Sequence, residues 1–299
     1  MTVDTPRASD VVSLALRRDA EAVQGALWRL ELAPEDEEAV HDLRVGIRRM
    51  RTFLRACVWL YRRSTVERLA GELRAVAQAT NALRDEEVLV ETLELLELAV
   101  VERAAADAWL ARRATVLVEL RNVGLQMLAN SRLDSILDDV LALGKAPPKR
   151  EFEAHEFGQR LLREERAGIG ALLPSLALSD VAVFHRLRIR FKRLRYTADM
   201  LAAGMGGGKG GDEGERVLAA AAPHLEVARI AAGFQKELGL IHDVDVARAS
   251  VAGAGDLDAP TRALLDSALF GVRRRLAGGL LERLAVELAS VVMPDALVR

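Results

Sequence analysis

Two segments of the chain, AVHDLRVGIRRMRTFLRA and VFHRLRIRFKRLRYTADM, place the same kinds of side chain at the same spacing 144 residues apart. His41, Arg44, Arg48 and Arg51 in the first correspond to His185, Arg188, Lys192 and Arg195 in the second. A histidine is followed by cations at offsets three, seven and ten. At the pitch of an α-helix, the four positions fall on one stripe roughly 80° wide. Like charges on neighbouring helical positions repel and weaken a helix. A chain that builds this face twice has a polyanion to place there.

The apolar residues repeat in step. Leu43, Ile47, Met50, Leu54 and Cys57 match Leu187, Phe191, Leu194, Ala198 and Leu201. They form a second stripe beside the cations, and this is the face that packs into the core. Val45 and Ile189 border the cation row on its other flank. A cation row with apolar residues on both sides reads as a groove floor or channel wall. Arg49 and Arg193 sit on the far side of the histidines, placed either to line that wall or to pair with acids. The repeat is imperfect. Arg55 extends the first row at offset fourteen, where the second has Asp199, and Asp42 corresponds to Arg186.

Net charge is only −2 in 299 residues, so the basic character is local. Residues 41–63 carry seven arginines and His41 against one acid, Asp42, while acids gather in 34–38 and 85–97. Such segregation sets up a local positive field on a near-neutral protein. Lysine occurs only at 145, 149, 192, 209 and 236, so arginine abundance is general and the periodic placement carries the information. The lone Cys57 lies on an apolar stripe and reads as a small core residue. The N-terminus has no basic-then-apolar leader pattern. No uncharged apolar run reaches the length of about 18 residues that a membrane span needs. The expectation is a soluble, cytoplasmic protein.

Helical periodicity runs through nearly the whole chain and strand signals are sparse. The pattern predicts helices over about 9–31, 36–62, 64–80, 84–106, 108–129 and 132–142. In the second half it predicts them over 151–171, 180–203, 213–238, 242–252, 260–277 and 279–291. Pro34, Pro174, Pro223, Pro260 and Pro294 are placed at expected helix ends. Residues 144–150 read as a linker between repeat one (8–143) and repeat two (151–291). The glycine-rich stretch 202–214 reads as an insertion of the second half. Allowing for it, Arg84–Asp85 in LRDEEV and His242–Asp243 in IHDVDV become equivalent positions. The fold class is all-α: one pseudo-symmetric helical domain spanning 8–291.

VHDLRVGIRRMR, LRDEEVL, FHRLRIRFKRLRY and LGLIHDVDVA, in that order, resemble the CHAD family, the conserved-histidine α-helical domain. The resemblance runs from about residue 8 to 291. It implies two repeats of antiparallel helical bundles enclosing a basic central cavity. It also implies binding of inorganic polyphosphate and location at polyphosphate granules, with polyphosphate-metabolising enzymes as possible partners. Many family members are fused to a triphosphate-tunnel domain; this chain resembles a stand-alone member.

On this reading His41, Arg44, Arg48, Arg49, Arg51, Arg55, His185, Arg188, Lys192, Arg193 and Arg195 contact phosphate. Guanidinium offers phosphate a fixed bidentate fork and stays charged. A neighbouring polyanion would raise the histidine pKa values and recruit His41 and His185 as further cations, making them the pH-sensing groups. Arg84, Asp85, His242 and Asp243 would orient the cations from behind. Arg112–Arg113 and Arg273–Arg275 fall in the late helix of each half, either as further cations or as exposed surface. No HExxH-type metal spacing and no GxxxxGK[ST] phosphate loop is present. No catalytic residue, metal ligand or cofactor site can be named. The competing readings are an RNA- or DNA-binding protein and an accessory subunit of a polyphosphate enzyme. Aromatic residues that would stack bases are scarce, at 4%. Phosphoanhydride chemistry would need carboxylates holding a divalent metal beside the cations, and the basic stripes supply only cations.

Overall fold

Among the described residues every long element is a helix. The computed structural model describes residues 6–205 and 212–292, with the side chains of 205, 212–220 and 288–292 outside that description. In chain order the helices are α1 (Ala8–Leu32), α2 (Glu37–Cys57), α3 (Arg63–Ala79), α4 (Asn81–Leu95), α5 (Val100–Ala129), α6 (Leu133–Lys145), α7 (Ala154–Gly170), α8 (Val181–Met205), α9 (Asp212–Gly253) and α10 (Ala259–Val292). A 3-10 turn, Leu173–Ser175, lies between α7 and α8. The only bridge of β type among the described residues pairs Arg7 with Glu153. It joins the starts of α1 and α7, where Ala8 N donates to Phe152 O and Ala154 N to Pro6 O.

The two motifs lie on α2 and α8, and both helices start by the same device. Asp36 Oδ1 accepts from Ala39 N at 2.9 Å, and Asp180 Oδ1 accepts from Val183 N at 2.9 Å. Each aspartate stands five residues before its histidine. A side-chain acceptor at the N-cap satisfies one of the orphan amides of the first turn and fixes where the helix begins. The same start sets the same rotational register for both cation rows. All ten residues of the two apolar stripes are buried, none more than 1% exposed. Val45 and Ile189 are half-buried. Gly46 allows α1 against α2, since a Cβ there would stand 2.5 Å from Val23 Cγ2.

Several helix ends differ from the sequence expectation. The break placed near residue 107 is absent, and α4 and α5 instead part at 96–99. Glu102 accepts there from Ala99 N at 2.6 Å and starts α5. The expected breaks at 239–241 and 278 are also absent, because α9 and α10 run through them. Pro223 lies inside α9 rather than at an end. Helix α2 stops at Cys57, five residues early. Residues 206–211 of the glycine-rich stretch, with Lys209, and Pro294 lie outside the described residues.

Two cores hold the molecule. The larger joins α1–α3 and α6–α9, with contributions from α10. The smaller is built by Leu89 and Leu93 of α4, Trp109 of α5, Val244 and Val251 of α9, and Leu265 and Leu269 of α10. It ties the first half to the second. Helix α2 also packs against α8 and α4 against α9, so the motif helices meet rather than lying on opposite surfaces. Among the described residues no helix is long and apolar enough to cross a membrane.

Candidate functional site

Cations from α2 and α8 converge around Lys192. Arg48 and Arg51 from α2, with Arg188 and Arg193 from its own helix, all lie close enough to disfavour its proton. Lys192 is half-buried, and among the described residues its side chain has no hydrogen bond and no ion pair. Burial, followed by these four guanidinium groups, pushes its pKa down to about 7. The Arg48 side chain likewise has no hydrogen bond or ion pair among the described residues. Arg51 Nε and Arg188 Nε are buried without a partner. Buried donors are normally satisfied, and an orphan costs about 1–3 kcal/mol. Among the described residues these three arginines and one lysine have no carboxylate at ion-pair distance, and two of them have unfilled donors.

The histidines sit at one end of this cluster. The rings of His185 and His242 are 5.1 Å apart, centroid to centroid. Burial, then Arg188, His185, Lys192 and Arg48, push His242 down to about 4. His41 and His185 are also held below the ordinary histidine value, by partial desolvation and then by neighbouring arginines; Lys192 adds to the effect at His185. In the ligand-free protein the surroundings of all three rings favour the neutral form. The cluster extends beyond the sequence motif through Arg84, near His41, Arg188 and Asp243. It also takes in Arg74 of α3, near Arg51. Arg74 belongs to no repeat, so nothing in the sequence singles it out.

Asp85 and Asp243 occupy matching places. Asp85 is an electrostatic neighbour of Arg44 and Asp243 of Arg188, the cation at offset three in each motif. Among the described residues neither aspartate makes a contact of ion-pair length. Arg84 instead pairs with Glu87 at 3.5 Å and Glu91 at 3.3 Å.

The two halves use their offset-three cation differently. Arg44 Nη1 donates to Ala77 O at 3.2 Å and to the buried Thr80 Oγ1 at 2.6 Å, and Nη2 donates to Asn81 Oδ1 at 3.1 Å. It clamps the joint between α3 and α4. The second half has no such joint, since α9 runs continuously, and Arg188 stays open. Replacing Arg44 by alanine is expected to cost on the order of 1–3 kcal/mol in urea unfolding, because Thr80 and a carbonyl lose their donor. Arg188→Ala is expected to cost nothing measurable or to stabilise.

Other candidates turn elsewhere. Arg49 Nε donates to Asp19 Oδ2 on α1 at 3.2 Å, and its guanidinium lies over the Tyr196 ring. Asp19 itself is buried, and desolvation raises its pKa to about 6. Arg195 pairs with Asp199 at 3.6 Å, so the residue that breaks the repeat also neutralises its neighbour. Arg55 and Arg193 line a separate cleft of about 420 Å³ with Trp59, Arg63, Glu67, Glu164 and Glu165. Carboxylates there make it a poorer seat for a polyanion than the Lys192 cluster. Arg113 and Arg273, in the late helices, are structural: Arg113 holds Glu86 at 2.5 Å and Arg273 holds Asp245 at 2.6 Å.

No curated protein matches the chain by sequence. Among solved structures it resembles the crystal structure of the CHAD domain from the plant Ricinus communis, with a TM-score of 0.60 and 19% identity over 96% of this chain and 90% of that one. It also resembles PptA from Streptomyces chartreusis, with a TM-score of 0.62 and 20% identity over 95% of this chain and 99% of that one. At these identities the likeness establishes the fold. The family model for the CHAD domain matches residues 14–252, which include both motif helices and the LRDEEV and IHDVDV segments. The chain therefore belongs to the CHAD domain family.

Proposed function

We propose that this protein binds inorganic polyphosphate without cleaving it, in a cationic channel between α2 and α8. The observation that carries the reading is the group Arg48, Arg51, Arg188 and Lys192. Among the described residues these cations have no carboxylate at ion-pair distance, and the two buried Nε atoms have no acceptor. A linear polyanion supplies several negative charges in a row and relieves their mutual repulsion at once. A single phosphate would neutralise only part of the set. His41, His185, His242 and Arg84 extend the row at one end, and Arg74 at the other. The two motifs would line the channel from two sides, the second half with more open donors than the first because Arg44 is committed to the α3–α4 joint. Such a protein would gather where polyphosphate accumulates, at granules, and would work beside enzymes that make or degrade the polymer.

A competition assay tests this. Labelled long-chain polyphosphate is bound to the full chain and displaced by unlabelled polyphosphate, single-stranded RNA or duplex DNA at equal phosphate concentration. Polyphosphate is expected to displace the label at a concentration at least about tenfold below either nucleic acid. That expectation follows from the scarcity of Phe, Trp and Tyr to stack bases, 4% of the chain. Equal or better displacement by RNA would replace the reading with nucleic-acid binding. Incubation with polyphosphate and a divalent cation is expected to release no orthophosphate.

A further inference from the structure

Lys192 stands apart from the other described lysines in its surroundings. Lys145, Lys149 and Lys236 are exposed. Among the described residues Lys192 is half-buried, has no acid at ion-pair distance, and lies near the guanidinium groups of Arg51 and Arg188, neither of which makes a hydrogen bond or ion pair. An amine beside guanidinium groups that no protein acceptor occupies is placed to attack an electrophile that carries a phosphate. We propose that Lys192 is an acylation site, modified directly by acyl phosphates such as acetyl phosphate. The reagent's phosphate would dock on Arg51 and Arg188 and so present its acyl carbon to the lysine amine.

The step balances without a further reagent. The unprotonated Nζ attacks the carbonyl carbon, a C–N bond forms, and the C–O bond to phosphate breaks. Phosphate leaves with the proton that Nζ loses, giving an amide and hydrogen phosphate. Nothing is oxidised or reduced. The surrounding arginines help twice. They disfavour the ammonium form, so that much of the amine is free at neutral pH. They also stabilise the charge that builds on the departing phosphate. A lysine in water keeps its proton at this pH. Acylation would remove one positive charge from the centre of the cluster and fill the gap with an amide. It would therefore weaken polyphosphate binding; that consequence alone rests on the function proposed above.

The test treats the purified full chain with acetyl phosphate near pH 7.5 and follows each lysine by quantitative peptide mass spectrometry. Lys192 is expected to acetylate at least about tenfold faster than Lys145, Lys149 or Lys236, given the larger share of free amine. Acetic anhydride, which carries no phosphate, is the parallel reagent. The preference for Lys192 should be smaller with anhydride, and R51A/R188A, checked for helicity, should lose the excess seen with acetyl phosphate. Reaction of Lys192 with acetyl phosphate no faster than the three exposed lysines would overturn the proposal. The same preference with both reagents would overturn the docking of phosphate on the arginines. Tight polyphosphate binding without preferential acetylation would sink this inference and leave the proposed function. Preferential acetylation in a protein that ignores polyphosphate would do the reverse.

Discussion

Replacing Arg48, Arg51, Arg188 and Lys192 together by alanine is expected to weaken polyphosphate binding by at least about a thousandfold. Charge-assisted hydrogen bonds contribute on the order of 1.5–3 kcal/mol each. Even with strong non-additivity, four of them exceed the roughly 4 kcal/mol that a thousandfold loss requires. The steep fall of log affinity with log salt should flatten as well, since fewer counterions are released. The fold should survive. None of the four side chains makes a hydrogen bond or ion pair among the described residues, and the buried stripes are untouched. Removing crowded like charges and two orphaned donors should leave the thermal midpoint equal or higher. Isothermal titration and a thermal melt on the same preparation check both halves. Wild-type affinity in a folded variant would show that the site lies elsewhere.

Polyphosphate affinity is expected to fall as pH rises above about 7, and Lys192 should be responsible. Its pKa in the free protein is about 7, and a bound polyanion raises it, because opposite charge favours the protonated form. Binding above pH 7 therefore draws in a proton. The affinity should drop by up to about tenfold per pH unit until the bound-state pKa is reached. Sequence alone points instead to His41 and His185. Both are held below the usual histidine value, so their contribution comes at lower pH, as affinity rises further on acidification. Lys192→Arg should bind well and lose the dependence between about pH 7 and 9, since arginine keeps its charge there. Full retention of the slope in that variant would assign it to another group. Stability follows the opposite course. The folded pKa is depressed below the unfolded value of about 10.4. The folded state therefore binds fewer protons between about 7 and 10, and ligand-free stability rises with pH across that window. Below about 7 the whole penalty is present. There Lys192→Met should stabilise the free protein by on the order of 1–2 kcal/mol, and the gain should shrink as pH rises.

The apolar stripes are legible because burial leaves a period, and all ten of their residues are buried. The meeting of α2 and α8 can be anticipated because two rows of matched cations have meaning only if one ligand spans them. The division of labour among the cations cannot be read in this way. Arg44 and Arg188 occupy the same motif position, yet one clamps Thr80 and the other is open; the difference lies in a helix joint that only the first half has. Arg49 and Arg48 are adjacent in sequence, and only the three-dimensional position of Asp19 on α1 separates the paired one from the unpaired one. Arg74 is invisible in the sequence because it enters from a helix outside the repeat. The missing helix breaks have a tertiary cause. Residues such as Gly239–Leu240 and Gly278–Gly279 look like interruptions, yet α9 and α10 continue through them with tertiary support on both sides. The paired caps at Asp36 and Asp180 are within reach of the sequence, since both stand five residues before a histidine.

A crystal structure of the protein soaked with a short polyphosphate tests the central claim most directly. The account predicts a chain of phosphate density between α2 and α8, with oxygens within hydrogen-bond distance of the Arg48, Arg51 and Arg188 guanidinium groups and of Lys192 Nζ. Density seated in the Arg55–Arg193 cleft or on the outer surface, with the Lys192 cluster empty, would contradict it.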